Sequence, residues 1–407
     1  MSAARPRAER GPLRWAQLLQ APHRLAFFLA GVNLLLSATW WAWWCSFGDG
    51  QVAPVLPAGW LHGLLMVCGF MPLYFAGFLF TAGPRWLQMP EVSARDVRPA
   101  CLMLATAWWL VLLGAVTDSR IVALGQGLGL LGWGLLMHRF AMLTWRSRAD
   151  DRLHAKLVLA SGLLGALAMA ASVLGLLMER WDLWRGATWL ALWGWVVPVF
   201  VVVLHRMIPF FTAAALPSLD AWRPNWLLWT LLSGTWLQGA LHLADGTVLQ
   251  RSEWPWLRAT LALPWGLLVL GLAVRWGLVQ SLRIRLLAML HLGFVWMGLA
   301  FLLELHPDPL LSVHALGIGC LGSLVLAMVT RVSCGHGGRT LVADGFIWSA
   351  FLGLQGVAVL RLAALLWPAT SGWLVPAAAL GWWLVMGAWA LRLLRWYLRP
   401  RLDGRPG

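Results

Sequence analysis

With 407 residues, 60% of them hydrophobic and only 12% charged, and a mean hydropathy of +0.72, the chain has too little polar surface to coat a water-soluble body of its size. Its solvent is lipid, in which only helices and closed barrels satisfy every backbone group, and its apolar runs are continuous where a barrel would alternate with a period of two. The net charge of +15 needs no nucleic acid as partner, because Arg and Lys flanking membrane spans are a topogenic signal facing anionic lipid.

A bilayer core of roughly 30 Å takes about 20 apolar residues per helix. Apolar runs broken by Arg, Asp or Pro clusters predict spans at 25–45, 60–81, 100–116, 121–145, 157–178, 188–211, 226–244, 259–278, 286–305, 310–332, 346–366 and 373–396, the third of them short. The expected fold is an all-α polytopic bundle over 25–396, flanked by tails at 1–24 and 397–407. Most basic residues gather on the side of the termini, which predicts an even number of spans with both ends cytoplasmic. Four, Arg139, Arg206, Arg275 and Arg361, fall within spans. The tail 1–24 is Arg-rich but has no separate apolar core or small-residue cleavage site, so the first span is expected to anchor itself. Leu13, Trp15, Leu18 and Leu19 suit either one face of a short interfacial helix or a plain tether.

Several features read as packing. The five cysteines, Cys45, Cys68, Cys101, Cys320 and Cys334, have no metal-type spacing and suit small core positions. Trp40, Trp41, Trp43 and Trp44 fall at a span end, where indole prefers the headgroup level. Gly319, Ser323 and Ala327 recur every four residues as a stripe for close helix contact. Pro72 and Pro198 mark potential helix breaks of mainly structural meaning.

Ionisable groups inside spans are different, since hydrocarbon offers them no partner and they mark function by default. By depth, His62, His242, His306 and His314 fall near the outer face, and His138, His205, His291 and His336 near the inner face. On the tenth span His314 and Arg331 are about 25 Å apart along the axis, so no single metal serves both layers. The outer candidates are His62 and His314, with Glu304 and His306 close in sequence; His242 and His306 equally suit a place among headgroups. In the inner layer His205 and His291, each about 9 Å inside the boundary, suit an axial or copper-binding pair. Arg206 and Arg331 suit an anionic group such as a haem propionate, or plain snorkelling. Ser333 to Arg339 reads as a glycine-rich turn that leaves the helix and sets His336 beside Arg331.

The segment His314–Gly317 through Met328–Arg331 to Gly335–Arg339 resembles the signature block of the NnrS family. His291–Trp296 is similar to that family's ninth-span motif, Arg206–Thr212 to its R-x-I-P-x-F-T motif, and Gly77–Trp86 to its second-span G-F-L-L-T-A-x-x-x-W. Arg361 suits a further Arg expected in the next span. The resemblance implies a haem- and copper-containing protein of the bacterial cytoplasmic membrane, associated with denitrification and with protection against nitric oxide and its metal-nitrosyl products. Where the family has W-H-x-H-E-x, this chain reads Trp60, Leu61, His62, Gly63, Leu64; one histidine and the glutamate are missing, which leaves copper open while haem stands.

Two other classes share the gross features. Haem-copper oxidases and nitric oxide reductases need six histidines, including His-His and His-x-His pairs that are absent here. A secondary transporter suits twelve spans as two six-helix halves, and helices broken at mid-membrane would favour it; however, the loop 82–99 lacks the major facilitator pattern and no half-to-half repeat is visible. The expected function is haem binding with protection from nitric oxide, whether by turnover or by binding alone. The expected cofactor pocket is His205, Arg206, His291, Arg331 and His336, with a secondary outer metal pair, His62 and His314.

Overall fold

A helix forms at each predicted span in the computed structural model, which describes residues 12–48, 55–245, 251 and 253–405. In chain order these are α1 (Pro22–Phe47), α2 (Ala58–Trp86), α3 (Ala94–Gly114), α4 (Ser119–Arg146), α5 (Leu153–Leu177), α6 (Trp181–Ala215), α7 (Asn225–Ala244), α8 (Pro255–Arg275), α9 (Arg285–Leu303), α10 (Pro309–His336), α11 (Gly345–Leu366) and α12 (Ser371–Tyr397). Among the described residues, 11 are long and apolar enough to cross a membrane. The exception is α7; it has 20 residues, but Asn225, Gln238 and His242 dilute its apolar content. No strand occurs among the described residues, and the chain is an all-α multi-pass membrane protein.

Capping sets boundaries that the apolar pattern missed. Ser93 accepts from the Arg95 N–H and Asp96 reaches back to the Ser93 N–H, so α3 begins at Ala94, in the charged stretch before the predicted span. Asp118, Asp308 and Asp344 accept backbone N–H groups at the starts of α4, α10 and α11 in the same way. The Ser333–Arg339 segment departs from its sequence reading. Helix α10 runs on through His336, and only then does Gly338 turn the chain at φ 66, a left-handed conformation that glycine adopts without strain.

In chain order the helices form three successive sets of four. The last helix of each set lies against the first of the next, α4 on α5, α8 on α9 and α12 on α1, which closes the ring. The second helix of each set is the most enclosed: 83% of the apolar window of α2 and of α6 is buried, and 72% of that of α10, against 33% for α8 and α11. Each of these central helices carries a π-helical stretch, Leu65–Gly69, Ala191–Val196 and Ala315–Gly322.

Helix α2 also breaks after its π stretch, at Phe70, just before Pro72. The buried Asn33 side chain of α1 donates to the Gly69 carbonyl at 2.8 Å and accepts from the Trp109 indole at 2.9 Å. Pro198, by contrast, sits where α6 passes from π to α geometry without interruption.

Burial revises the reading of the tryptophans. Trp43 is exposed, as a headgroup belt requires, yet Trp108, Trp133, Trp184, Trp193, Trp195 and Trp389 are among the largest fully buried side chains. Indole fills this core as well as rimming it. Cys68, Cys101, Cys320 and Cys334 are buried packing residues. The small-residue stripe of α10 meets α9 and α11: Gly319 admits the Trp296 indole, and Ser323 accepts from Gln355 at 2.9 Å. Trp15–Gln20 forms a short 3₁₀ turn with Leu18 buried, and the Arg14 N–H is hooked to the Leu398 carbonyl, so this part of the tail is docked on the bundle.

Candidate functional site

A cavity of about 360 Å³ opens where the three π stretches meet, with Met66, Val67, Leu192, Val196, Gly317 and Leu321 in its wall. A π turn holds an extra residue and widens the helix locally, and three at one level leave space that straight helices would close. The volume is in the range of about 300–1,000 Å³ typical of small-molecule and cofactor pockets.

His62 and His314 both face this cavity, from the first turns of α2 and α10. The Trp41 ring stacks on His62 at 3.9 Å with the planes 16° apart, so one tryptophan of the expected belt is instead a wall of the site. Neither ring nitrogen of His62 has a hydrogen-bond partner among the described residues, and its Nδ1 is fully buried. His314 Nδ1 donates to the Leu310 carbonyl at 2.7 Å, which fixes the tautomer and leaves Nε2 with a free lone pair. Arg185, set over the Trp60 ring at 5.8 Å, and Arg361 complete the polar part of the lining. Neither makes an ion pair among the described residues.

Beside the cavity lies a buried charge network outside the expected set. His242 Nε2 donates to Glu304 at 2.9 Å and its ring stacks on Trp189, a cavity residue, at 4.4 Å. Glu304 also accepts from Ser312 and, at 3.1 Å, from Arg251. Asp245 holds Arg258 and lies 3.6 Å from Arg251. His242, for which a headgroup position was one of two readings, is 3% exposed and belongs to this network; His306 accepts the Asp308 N–H at a helix start.

The inner candidates find partners at three separate places. His205 Nε2 donates to the Pro224 carbonyl at 3.2 Å, which makes Nδ1 the acceptor from His154 Nε2 at 3.1 Å. Both nitrogens of His205 are thereby used. Arg206 bonds Asp151 at 3.2 Å and lies over Trp86. The Asp151 carboxyl is pushed up by partial burial, but the Leu153 N–H, His154 and Arg206 outweigh this and hold it below the usual carboxylate range. His291 is bonded to Thr212 at 3.0 Å, and its Nδ1 has no partner. Arg331 lies over the Phe211 ring at 3.8 Å, and His336 faces His23 at 4.9 Å between ring centres. His154 and His23 precede the runs that hydropathy marks as spans, so the depth rule passed over them. Exposed His138 joins none of these. No group of three His, Cys, Asp or Glu side chains able to hold a metal occurs among the described residues.

Bundle and cavity define a polytopic membrane protein whose three central helices enclose a largely apolar chamber bearing two available imidazoles. The chain belongs to the NnrS family: the family model, NnrS protein, matches residues 17–401, nearly its whole length. Comparison with curated proteins gives no match.

Proposed function

We propose that this NnrS-family chain binds haem in the cavity formed by α2, α6 and α10, and protects a bacterial cell from nitric oxide and metal-nitrosyl species at its cytoplasmic membrane. The carrying observation is the donor set: two cavity-facing imidazoles that each keep a ring nitrogen without a hydrogen-bond partner, with two guanidinium groups in the same wall that make no ion pair, among the described residues. A protein-only metal cage needs three or four ligands converging, whereas a porphyrin brings four of its own and would ask the protein for only one or two imidazoles. His62 and His314 would hold the iron, Arg185 and Arg361 would hold the propionates by charge-assisted bonds, and Trp41, stacked on His62, would keep that imidazole in place. Bound haem supplies an iron that takes up nitric oxide. Copper remains part of the proposal only as a guest of the same two imidazoles. The inner set is less suited, since both ring nitrogens of His205 are spent on His154 and a carbonyl, and His291, with one nitrogen bonded to Thr212, lies at a separate place.

Helix α2 is broken, as the transporter reading would like, but the freed Gly69 carbonyl is taken by Asn33 and so is not left to coordinate an ion. The enclosed, π-bearing helix also recurs at every fourth position in the chain, a threefold pattern where that reading expects two halves of six. The test is the optical spectrum and metal content of protein purified from a haem-replete host. A Soret band is expected, weakened by His62→Ala and by His314→Ala. No haem at all would refute the proposal; a band indifferent to both and lost in His205→Ala or His291→Ala would return the cofactor to the inner layer.

A further inference from the structure

Directly beyond the histidine cavity, one helical turn deeper, lies a second space of about 50 Å³ between the same three helices, with Phe27 of α1 also in its wall. Its wall follows the first cavity's by three or four residues on every helix: Tyr74 and Phe75 after Phe70 and Met71, Val199 and Phe200 after Val196, Leu324 and Val325 after Leu321. That spacing is one turn of helix, so the two spaces are stacked along the bundle axis. The surface facing the space is apolar throughout, Tyr74 contributing its ring and Met328 its thioether, and Tyr74, Phe75, Val199, Phe200, Leu324 and Val325 are each no more than 8% exposed.

A water needs about 10–15 Å³ and two to four polar partners. The space has room for several waters and offers no partner, so water is a poor occupant. Close-packed interiors rarely leave such space, and a larger side chain at Val325, in its wall, would take up part of it. We infer that this chamber is a docking site for a small uncharged apolar gas molecule, positioned to hand it to the histidine cavity. Its ligand class, diatomic gases and xenon, follows from size and lining alone. Only the identification of nitric oxide as its natural occupant rests on the haem reading above.

The experiment is xenon binding to the purified full-length protein, read as anomalous density in a pressurised crystal. A xenon peak is expected between Phe75, Phe200 and Val325, and Val325→Phe should abolish it. Val325→Leu, which adds a single methylene, serves if the larger variant does not fold, and should lower the xenon occupancy severalfold. No peak in the wild type, or a peak unchanged by the substitutions, overturns the chamber whatever the haem content. If haem is present, flash photolysis adds a second readout: the fraction of gas that rebinds from within the protein should fall severalfold in Val325→Leu with the Soret band unaltered. An unchanged fraction overturns the hand-over. A xenon peak in protein without haem leaves the chamber standing and removes nitric oxide as its guest.

Discussion

The buried carboxylate of Glu304 is the sharpest place to test how charge is carried inside this bundle. It is 1% exposed and accepts from His242 at 2.9 Å, from Arg251 at 3.1 Å and from Ser312. Glu304→Gln keeps the size and removes the charge. Breaking a buried ion pair from one side costs about 3–5 kcal/mol, because the other charge stays behind uncompensated. Arg251 retains Asp245 at 3.6 Å and the carbonyls of Glu304 and His306, each at 3.0 Å, so the lower end, about 3 kcal/mol, applies. At roughly 2–4 °C per kcal/mol for a large domain, thermal unfolding in detergent, followed by tryptophan fluorescence, should move down by about 6–12 °C. A double-mutant cycle of His242→Ala and Glu304→Ala should give a coupling of about 0.5–3 kcal/mol. A Glu304→Gln protein as stable as its parent, or more so, would refute the assignment of these groups to one stabilising network.

The break in α2 depends on Asn33, so Asn33→Ala, which leaves the Gly69 carbonyl buried without its donor and the Trp109 indole without its acceptor, should cost about 2–4 kcal/mol in the same assay. At Gly165 an added Cβ would lie 2.2 Å from the fully buried Trp195 ring, so Gly165→Ala should destabilise by about 1–3 kcal/mol. Gly127→Ala, with open space around it, should be neutral or slightly stabilising in parallel. Burial raises the Asp344 carboxyl, but Arg392 and the Ile347 and Phe346 N–H groups outweigh it and hold the group below the usual carboxylate range. A group depressed in the folded state stabilises fully above the unfolded value, near 3.9, and the contribution disappears as pH falls through the lower folded value. The stability gap between wild type and Asp344→Asn should therefore be constant at neutral pH and close on acidification below about 4; a gap independent of pH would contradict the ion pair with Arg392.

The bundle could be read in advance because lipid makes each span announce itself as a long apolar run, and every predicted span is a helix. The third began early because Ser93 and Asp96, a polar pair, start a helix that hydropathy cannot see. His62 and His314 were found by depth, and so were His205 and His291. What depth cannot tell is direction around the helix axis. His205 and His62 look alike in sequence, yet one turns into His154 and the other into a cavity. The cavity itself had no signal, since a π turn has no composition of its own and three of them matter only when packing sets them side by side. Trp41 was hidden among neighbours that do belong at the headgroups, and His242 and Glu304, 62 residues apart, revealed their pairing only in space.

The cavity's size bears on what the central helices are for. Protein interiors are close-packed and hold few spaces larger than a water molecule, so a cavity of about 360 Å³ between the central helices is a departure from ordinary packing. Straightening the π stretches would let α2, α6 and α10 close upon one another, and the small side chains already present, Gly63 and Gly317, would permit it. The helices instead hold the space open at one level and put unsatisfied imidazole nitrogen into it, two costs that a single occupant with a broad apolar ring and a metal centre would offset together. A site for water or a simple ion would offset only the second, and a lipid chain only the first.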